Sequence, residues 1–148
     1  MLCSVNASTP DPTNGLVQYL GRTAATAQNI TYVDSAGLFN MRVDTTEVQL
    51  SGRPSARITS QKTFEDGIFV INVTHVPTGC SVWPAFWLVA PDTKAYPLGG
   101  EIDILENAND QFAGTLTSLH TANNCVIDKS KQMQTGVTSY TNCTVDYT

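Results

Sequence analysis

The sequence predicts an all-β protein, an antiparallel sandwich or barrel, and three observations carry that reading. Helical periodicity is almost absent, short segments alternate apolar and polar residues, and Gly, Pro, Asn and Asp interrupt them at short intervals. Many short strands between such breaks are the pattern of sandwiches and barrels. The first alternating segment, Leu16 to Leu20, follows Pro12-Thr13-Asn14-Gly15, whose residues favour turns. Phe39 to Val43, Glu47 to Leu50 and Ala56 to Ile58 come next, with Ser51-Gly52-Arg53-Pro54 expected as a turn. Glu65-Asp66-Gly67 leads into Gly67 to His75. Within that stretch, Ile68-Phe69-Val70-Ile71-Asn72-Val73 is apolar on both faces, as expected of a central strand buried between two layers. From Thr121 onward the alternation gives way to Thr, Asn, Ser and Lys, which predicts a long surface loop. The chain stops at Thr148 with no closing strand, and a terminal loop that long suggests that something should follow it.

Composition narrows the function. The 148 residues suit one domain, with no repeat or linker visible, so residues 1–148 are read as a single unit. At 41% hydrophobic and 14% charged, the chain is not intrinsically disordered. Eight Lys and Arg against 13 Asp and Glu give a net charge of −5, which argues against nucleic acid as a partner. The longest apolar run, Val82 to Ala90, is interrupted by Pro84 and is too short to span a membrane. Met1-Leu2-Cys3-Ser4 lacks the cationic start and apolar stretch of an export signal. Yet Asn-x-Ser/Thr acceptor sites stand at Asn6, Asn29, Asn72 and Asn142, and such sites matter only to secreted chains. A secreted protein is therefore expected. Of the four cysteines, Cys125 and Cys143 flank a polar stretch and are the expected disulfide pair, while Cys80 opens an apolar run and is expected as a buried thiol.

The most informative segment is Gly99-Gly100-Glu101-Ile102-Asp103-Ile104-Leu105-Glu106. Ile102 and Ile104 alternate with Glu101 and Asp103, which predicts a strand with carboxylates on one face. On a helix Glu101 and Asp103 would lie about 200° apart. Glu106 is an odd number of residues from Glu101, so a regular strand would turn it to the other face. One β-bulge near Ile104-Leu105 would return it to the acidic side. Like charges crowded on a sheet face repel, and the repulsion raises the proton affinity of at least one of them. A glycosidase needs such a pair: one carboxylate to attack or activate water, and one carboxylic acid to protonate the leaving oxygen. The spacing leaves retaining and inverting chemistry equally open. It also fits a solvated strand face, or a calcium site using Asp103 and Asp110.

Just upstream, Trp83-Pro84-Ala85-Phe86-Trp87 places both tryptophans on one face if extended, and Tyr96 follows. Trp83, Trp87 and Tyr96 could stack on sugar rings or pack in the core. Downstream, Thr117-Ser118-Leu119-His120-Thr121 alternates like a neighbouring strand with His120 on its polar face, able to bond a carboxylate or a sugar hydroxyl. Arg57 could reach a hydroxyl or simply lie on the surface. His75 has no functional argument. The chain lacks a Gly-x-Ser-x-Gly elbow, a glycine-rich phosphate loop and the spacings of a zinc site; with two His, a conventional zinc site is not expected.

Gly100-Glu101-Ile102-Asp103-Ile104-Leu105-Glu106, with Trp83-Pro84-Ala85-Phe86-Trp87 before it and Leu119-His120-Thr121 after it, resembles glycoside hydrolase family 16, and most closely the fungal endo-1,3(4)-β-glucanases of laminarinase type. Asp11-Pro12-Thr13-Asn14-Gly15, Phe39-Asn40-Met41-Arg42 and Pro77-Thr78-Gly79-Cys80 extend the likeness from about Asp11 to Asn142. The resemblance implies a concanavalin A-like jelly-roll β-sandwich, here incomplete, with the first strand and the C-terminal strands absent. It also implies retaining hydrolysis of β-1,3 or mixed β-1,3-1,4 glucan, with no cofactor and no metal, by an extracellular monomer. By motif position Glu101 would be the nucleophile and Glu106 the general acid/base, with Asp103 tuning the nucleophile. Trp83, Trp87, Tyr96, His120 and Arg57 would contact substrate. A non-catalytic glucan-binding fragment and a cell-wall transglycosylase are the alternatives.

Overall fold

The computed structural model describes residues 2–4, 15–92, 95–110 and 114–145, so Asn6 and most of the Pro12-Thr13-Asn14-Gly15 signature lie outside the described residues. The chain divides into two compact units, one ending at Val73 and the other beginning at Thr74.

The first unit is built from three short two-stranded ladders. Strand β1 (Leu2–Ser4) pairs antiparallel with β6 (Ile58–Ser60), and β3 (Thr31–Val33) forms a hairpin with β4 (Phe39–Met41). The Asp34 carboxylate closes that hairpin by accepting the N–H groups of Ala36 and Leu38, each at 2.9 Å. Strand β2 (Val17–Tyr19) pairs parallel with β5 (Arg53–Ser55), so Arg53-Pro54 forms a strand where the composition predicted a turn. Gly52 makes this possible. It sits at φ 104° against the backbone of Val17 and Gln18, where a Cβ would meet the Val17 carbonyl carbon at 3.0 Å.

Helix α1 (Arg22–Ala27) did not show in the periodicity because it is under two turns long. Its three alanines nonetheless favour helix strongly. Ala25 packs with Leu20 and Ile30 as a small buried core, covered by Ala24 and Ala56. The expected segment Ala56 to Ile58 is displaced, since Ala56 and Arg57 link β5 to β6 and only Ile58 enters a strand. Two other expected strands are absent among the described residues. Glu47 to Leu50 forms no strand and Leu50 is 89% exposed. Ile68 to Val73 also forms none, with Ile68 at 93% and Val70 at 81% exposure. Apolar residues on both faces mark a strand covered on both sides, and the described residues supply no covering layer here. His75 likewise lies exposed and outside any strand.

The second unit centres on an antiparallel sheet ordered β7-β8-β9: Ala85–Val89, Glu101–Glu106 and Leu116–His120. Beyond β9 the described residues form isolated bridges but no further strand, as the polar composition predicts. Isolated bridges join Thr121 to Thr144 and Val126 to Asn142, and a single 3-10 turn, Lys129–Lys131, is capped by the Asp128 carboxylate at 2.9 Å from the Ser130 N–H. Cys80 is exposed, contrary to the expected buried thiol, because it stands in a turn between Gly79 and Ser81, both at positive φ. Cys80, Cys125 and Cys143 are free thiols in this structure. No helix among the described residues is long and apolar enough to cross a membrane.

Candidate active site

The carboxylates owe their common face to a counting irregularity in β8. Phe86 of β7 lies opposite Leu105, but the next residue, Trp87, lies opposite Asp103, so β8 carries one extra residue at Ile104. The ladder to β9 shifts in the same interval, between Asp103 and Glu106. This is the bulge that the odd spacing required. Residues directly across a ladder point the same way, so the register assigns the face. Glu101 lies across from Val89 and His120, Asp103 from Trp87 and Ser118, and Glu106 from Ala85 and Leu116. Three acids, Trp87, Ser118 and His120 therefore share one side. The Thr117 hydroxyl donates to the Ile104 carbonyl at 3.1 Å and ties the extra residue to β9.

Burial runs opposite to the usual order. Asp103 is 3% exposed, whereas Ile102 on the reverse face is 44% exposed. Burial of Asp103 is the largest cause lifting its proton affinity; the nearby Glu106 charge adds to it, and His120 opposes it. Glu101 is raised as well, first by partial burial and then by the Asp103 charge, with His120 again opposing. The two carboxyl groups share a hydrogen bond. His120 Nε2 lies 3.1 Å from Asp103 Oδ2, a close polar contact off the hydrogen-bonding axis, since that oxygen accepts no well-aligned hydrogen bond. Glu106 has its own partner: the Trp83 indole N–H donates to its Oε1 at 2.6 Å.

Of the residues singled out by sequence, the register brings Glu101, Asp103, Glu106, Trp87 and His120 to one face, and Trp83 reaches it by hydrogen bond. Tyr96 is half-buried in the turn that precedes β8. Arg57 belongs to the first unit, between β5 and β6. Ser118 is a site-face residue that the sequence reading passed over; its place two residues before His120 in an alternating strand was the available signal. Oxygen and nitrogen atoms of Glu101, Asp103 and His120 lie within 4.8 Å of one another, a set able to hold a cation. Asp110, the other half of the calcium alternative, is not in that set. A cation there would displace the contacts these three already make with each other. A surface depression of about 590 Å³, lined by Asn123, Asn124, Val126, Thr141, Asn142 and Thr144, shares no residue with the acidic cluster.

Comparison with known proteins agrees with this geometry. Residues 6–148 match the family description "XgeA-like, catalytic GH16 domain". A probable glycosidase of Schizosaccharomyces pombe is 40% identical over 136 residues, covering 92% of this chain and 31% of that protein. A probable endo-1,3(4)-beta-glucanase of Aspergillus niger is 39% identical over 140 residues, covering 92% and 18%. Among solved structures, the GH16 Laminarinase 16A from Phanerochaete chrysosporium, with 6-O-glucosyl-laminaritriose in donor and acceptor sites, superimposes with a TM-score of 0.84 at 37% identity. An elongating family 16 β-1,3-glucosyltransferase gives 0.83 at 35% identity, and each superposition covers 97% of this chain and 47% of the other. The chain thus spans under a third of these curated relatives and about half of these solved chains. Over that span its fold is the jelly-roll β-sandwich that the resemblance implied. The acidic strand, its bulge and its aromatic neighbour are those of a protein that belongs to glycoside hydrolase family 16.

Proposed function

We propose that this chain carries the catalytic strand of an endo-acting β-glucanase that cleaves β-1,3 or mixed β-1,3-1,4 glucan with retention of configuration. The observation that carries the reading is the bulge at Ile104, which places Glu106 beside Glu101 on one face. Glu106 is the acid. Its Oε1 accepts from Trp83, which leaves Oε2 to hold the proton that passes to the leaving glycosidic oxygen. The Glu101 carboxylate attacks the anomeric carbon as that bond breaks, forming a covalent glycosyl-enzyme. Glu106, now ionised, takes a proton from water, the water oxygen attacks the same carbon, and Glu101 is released. Asp103 sits between them, holds His120 in place and sets the proton affinity of Glu101. Trp87 and Tyr96 are proposed as sugar contacts, with Trp83 and His120 also reaching the substrate. The protein acts outside the cell as a monomer, a location supported by acceptor sites at Asn29, Asn72 and Asn142 and by a polymeric substrate.

Glu101→Gln removes the nucleophile and should abolish reducing-sugar release from laminarin and lichenan; persistent activity in that variant would overturn the assignment. A second reading is supported by the likeness to the elongating glucosyltransferase: the glycosyl-enzyme could pass its chain to another glucan instead of water. Product chain lengths separate the two. Hydrolysis shortens laminarin with a rise in reducing ends, whereas transfer redistributes lengths without one.

A further inference from the structure

We propose that Cys125 and Cys143 are a modification site: oxidised together, they form a disulfide that fixes the segment after β9 against the end of the strand carrying His120. The argument begins from register. Val126 bridges Asn142 antiparallel, the Ile127 N–H donates to the Thr141 carbonyl at 2.8 Å, and the Cys143 N–H donates to the Cys125 carbonyl at 3.1 Å. Cys125 and Cys143 are therefore the next pair along the same ladder, directly opposite and on the same face. Opposite residues joined by such a hydrogen bond have Cα atoms about 5.5 Å apart. That lies inside the 4.4–6.8 Å range that a disulfide spans. The Cys143 thiol donates to the Thr141 carbonyl at 3.7 Å, within the same ladder.

The cross-link reaches the acidic cluster through three residues. The Cys143 carbonyl accepts the Thr121 N–H at 2.8 Å, and the Thr121 carbonyl accepts the Val145 N–H at 3.0 Å. Thr121 directly follows His120, whose imidazole contacts Asp103. Joining the two sulfurs thus restrains the backbone that aims His120.

The oxidant is a small-molecule disulfide, as found where secreted chains mature. The half-exposed Cys125 attacks it as a thiolate, forming a mixed disulfide and releasing one small thiolate. The Cys143 thiolate then attacks the Cys125 sulfur, forming the protein disulfide and releasing the second; the two protein protons end on the small thiols. Cys143 is buried, and its thiol holds its proton more tightly than usual, first through that burial and then through Cys125. The second step therefore quickens as pH rises.

The test is to treat the reduced chain with oxidised glutathione, alkylate remaining thiols in denaturant and map the peptides by mass. The expected product joins Cys125 to Cys143 and is two hydrogens lighter than the paired thiol peptides. Alkylation of both residues, or linkage of either to another cysteine, would overturn the pairing. Amide exchange at Thr121 and Val145 tests the brace separately, comparing reduced and oxidised wild-type chain. It should slow roughly tenfold or more on oxidation. Unchanged exchange in the joined protein would overturn the restraint on His120. Both readouts are independent of whether Glu101 is the nucleophile.

Discussion

Glu101 and Asp103 hold protons more tightly than free carboxyls, and the sign of that shift has two consequences. For activity, a nucleophile must be ionised, so the acid limb of kcat/KM should lie above the ordinary carboxylate range. Asp103→Asn removes the negative charge that is the second cause lifting Glu101. The acid limb should then move to lower pH, even as the rate falls through the lost His120 contact; a pH–rate profile of the variant checks the direction. For stability, a carboxyl whose folded pKa exceeds its unfolded value binds more protons when folded. The favourable contribution is complete below the unfolded pKa and is lost as pH rises through the folded one. The denaturation midpoint should therefore fall less steeply with rising pH in Glu101→Gln than in wild type. Trp83→Phe keeps an aromatic ring but deletes the 2.6 Å hydrogen bond to Glu106. A hydrogen bond to the neutral acid contributes about 0.5–1.5 kcal/mol, so kcat should fall roughly 2- to 10-fold while the fold persists. Steady-state kinetics with a circular dichroism control measures it.

The bulge in β8 was legible in advance because three acids at an odd spacing cannot share a face on a regular strand. Its anchoring was not. The Thr117 hydroxyl that holds the Ile104 carbonyl comes from β9, and no local pattern pairs those two residues. Thr117→Val should cost about 0.5–1.5 kcal/mol and loosen Glu106, read as a lower denaturant midpoint with lower kcat. The turn into β8 carries a second constraint. A Cβ on Gly99 would collide with the Cβ of Ala90, just past the end of β7. Gly99→Ala should destabilise by about 1–3 kcal/mol, and the added Ala90→Gly substitution should restore much of it; a double-mutant cycle in urea decides. Elements that failed in prediction share a cause. Arg53-Pro54 reads as a turn until Val17 and Gln18 provide a parallel partner, and α1 is too short for its period to register.

Several large apolar residues are more exposed than the acids of the site. Leu50, Ile68 and Val70, all outside any strand, stand in water, and Ile102 on the reverse face of β8 is half-exposed, whereas Asp103 is buried. Contiguous apolar exposure promotes association. Replacing Ile68 and Val70 with Thr should reduce binding of a hydrophobic dye and raise solubility while leaving the site residues of the second unit untouched. An unchanged dye signal would show that these side chains are covered in solution.

By itself the sequence determined that this is a β protein, where its acidic strand lies, that the strand must be irregular, and which family it resembles. Those properties follow from side-chain period and short motifs, which are local. The tertiary structure decided which side chains and backbones meet: Asp103 with His120, Glu106 with Trp83, Cys125 with Cys143. Such pairings depend on strand order and register, and one residue of slip would turn each of them to the opposite face.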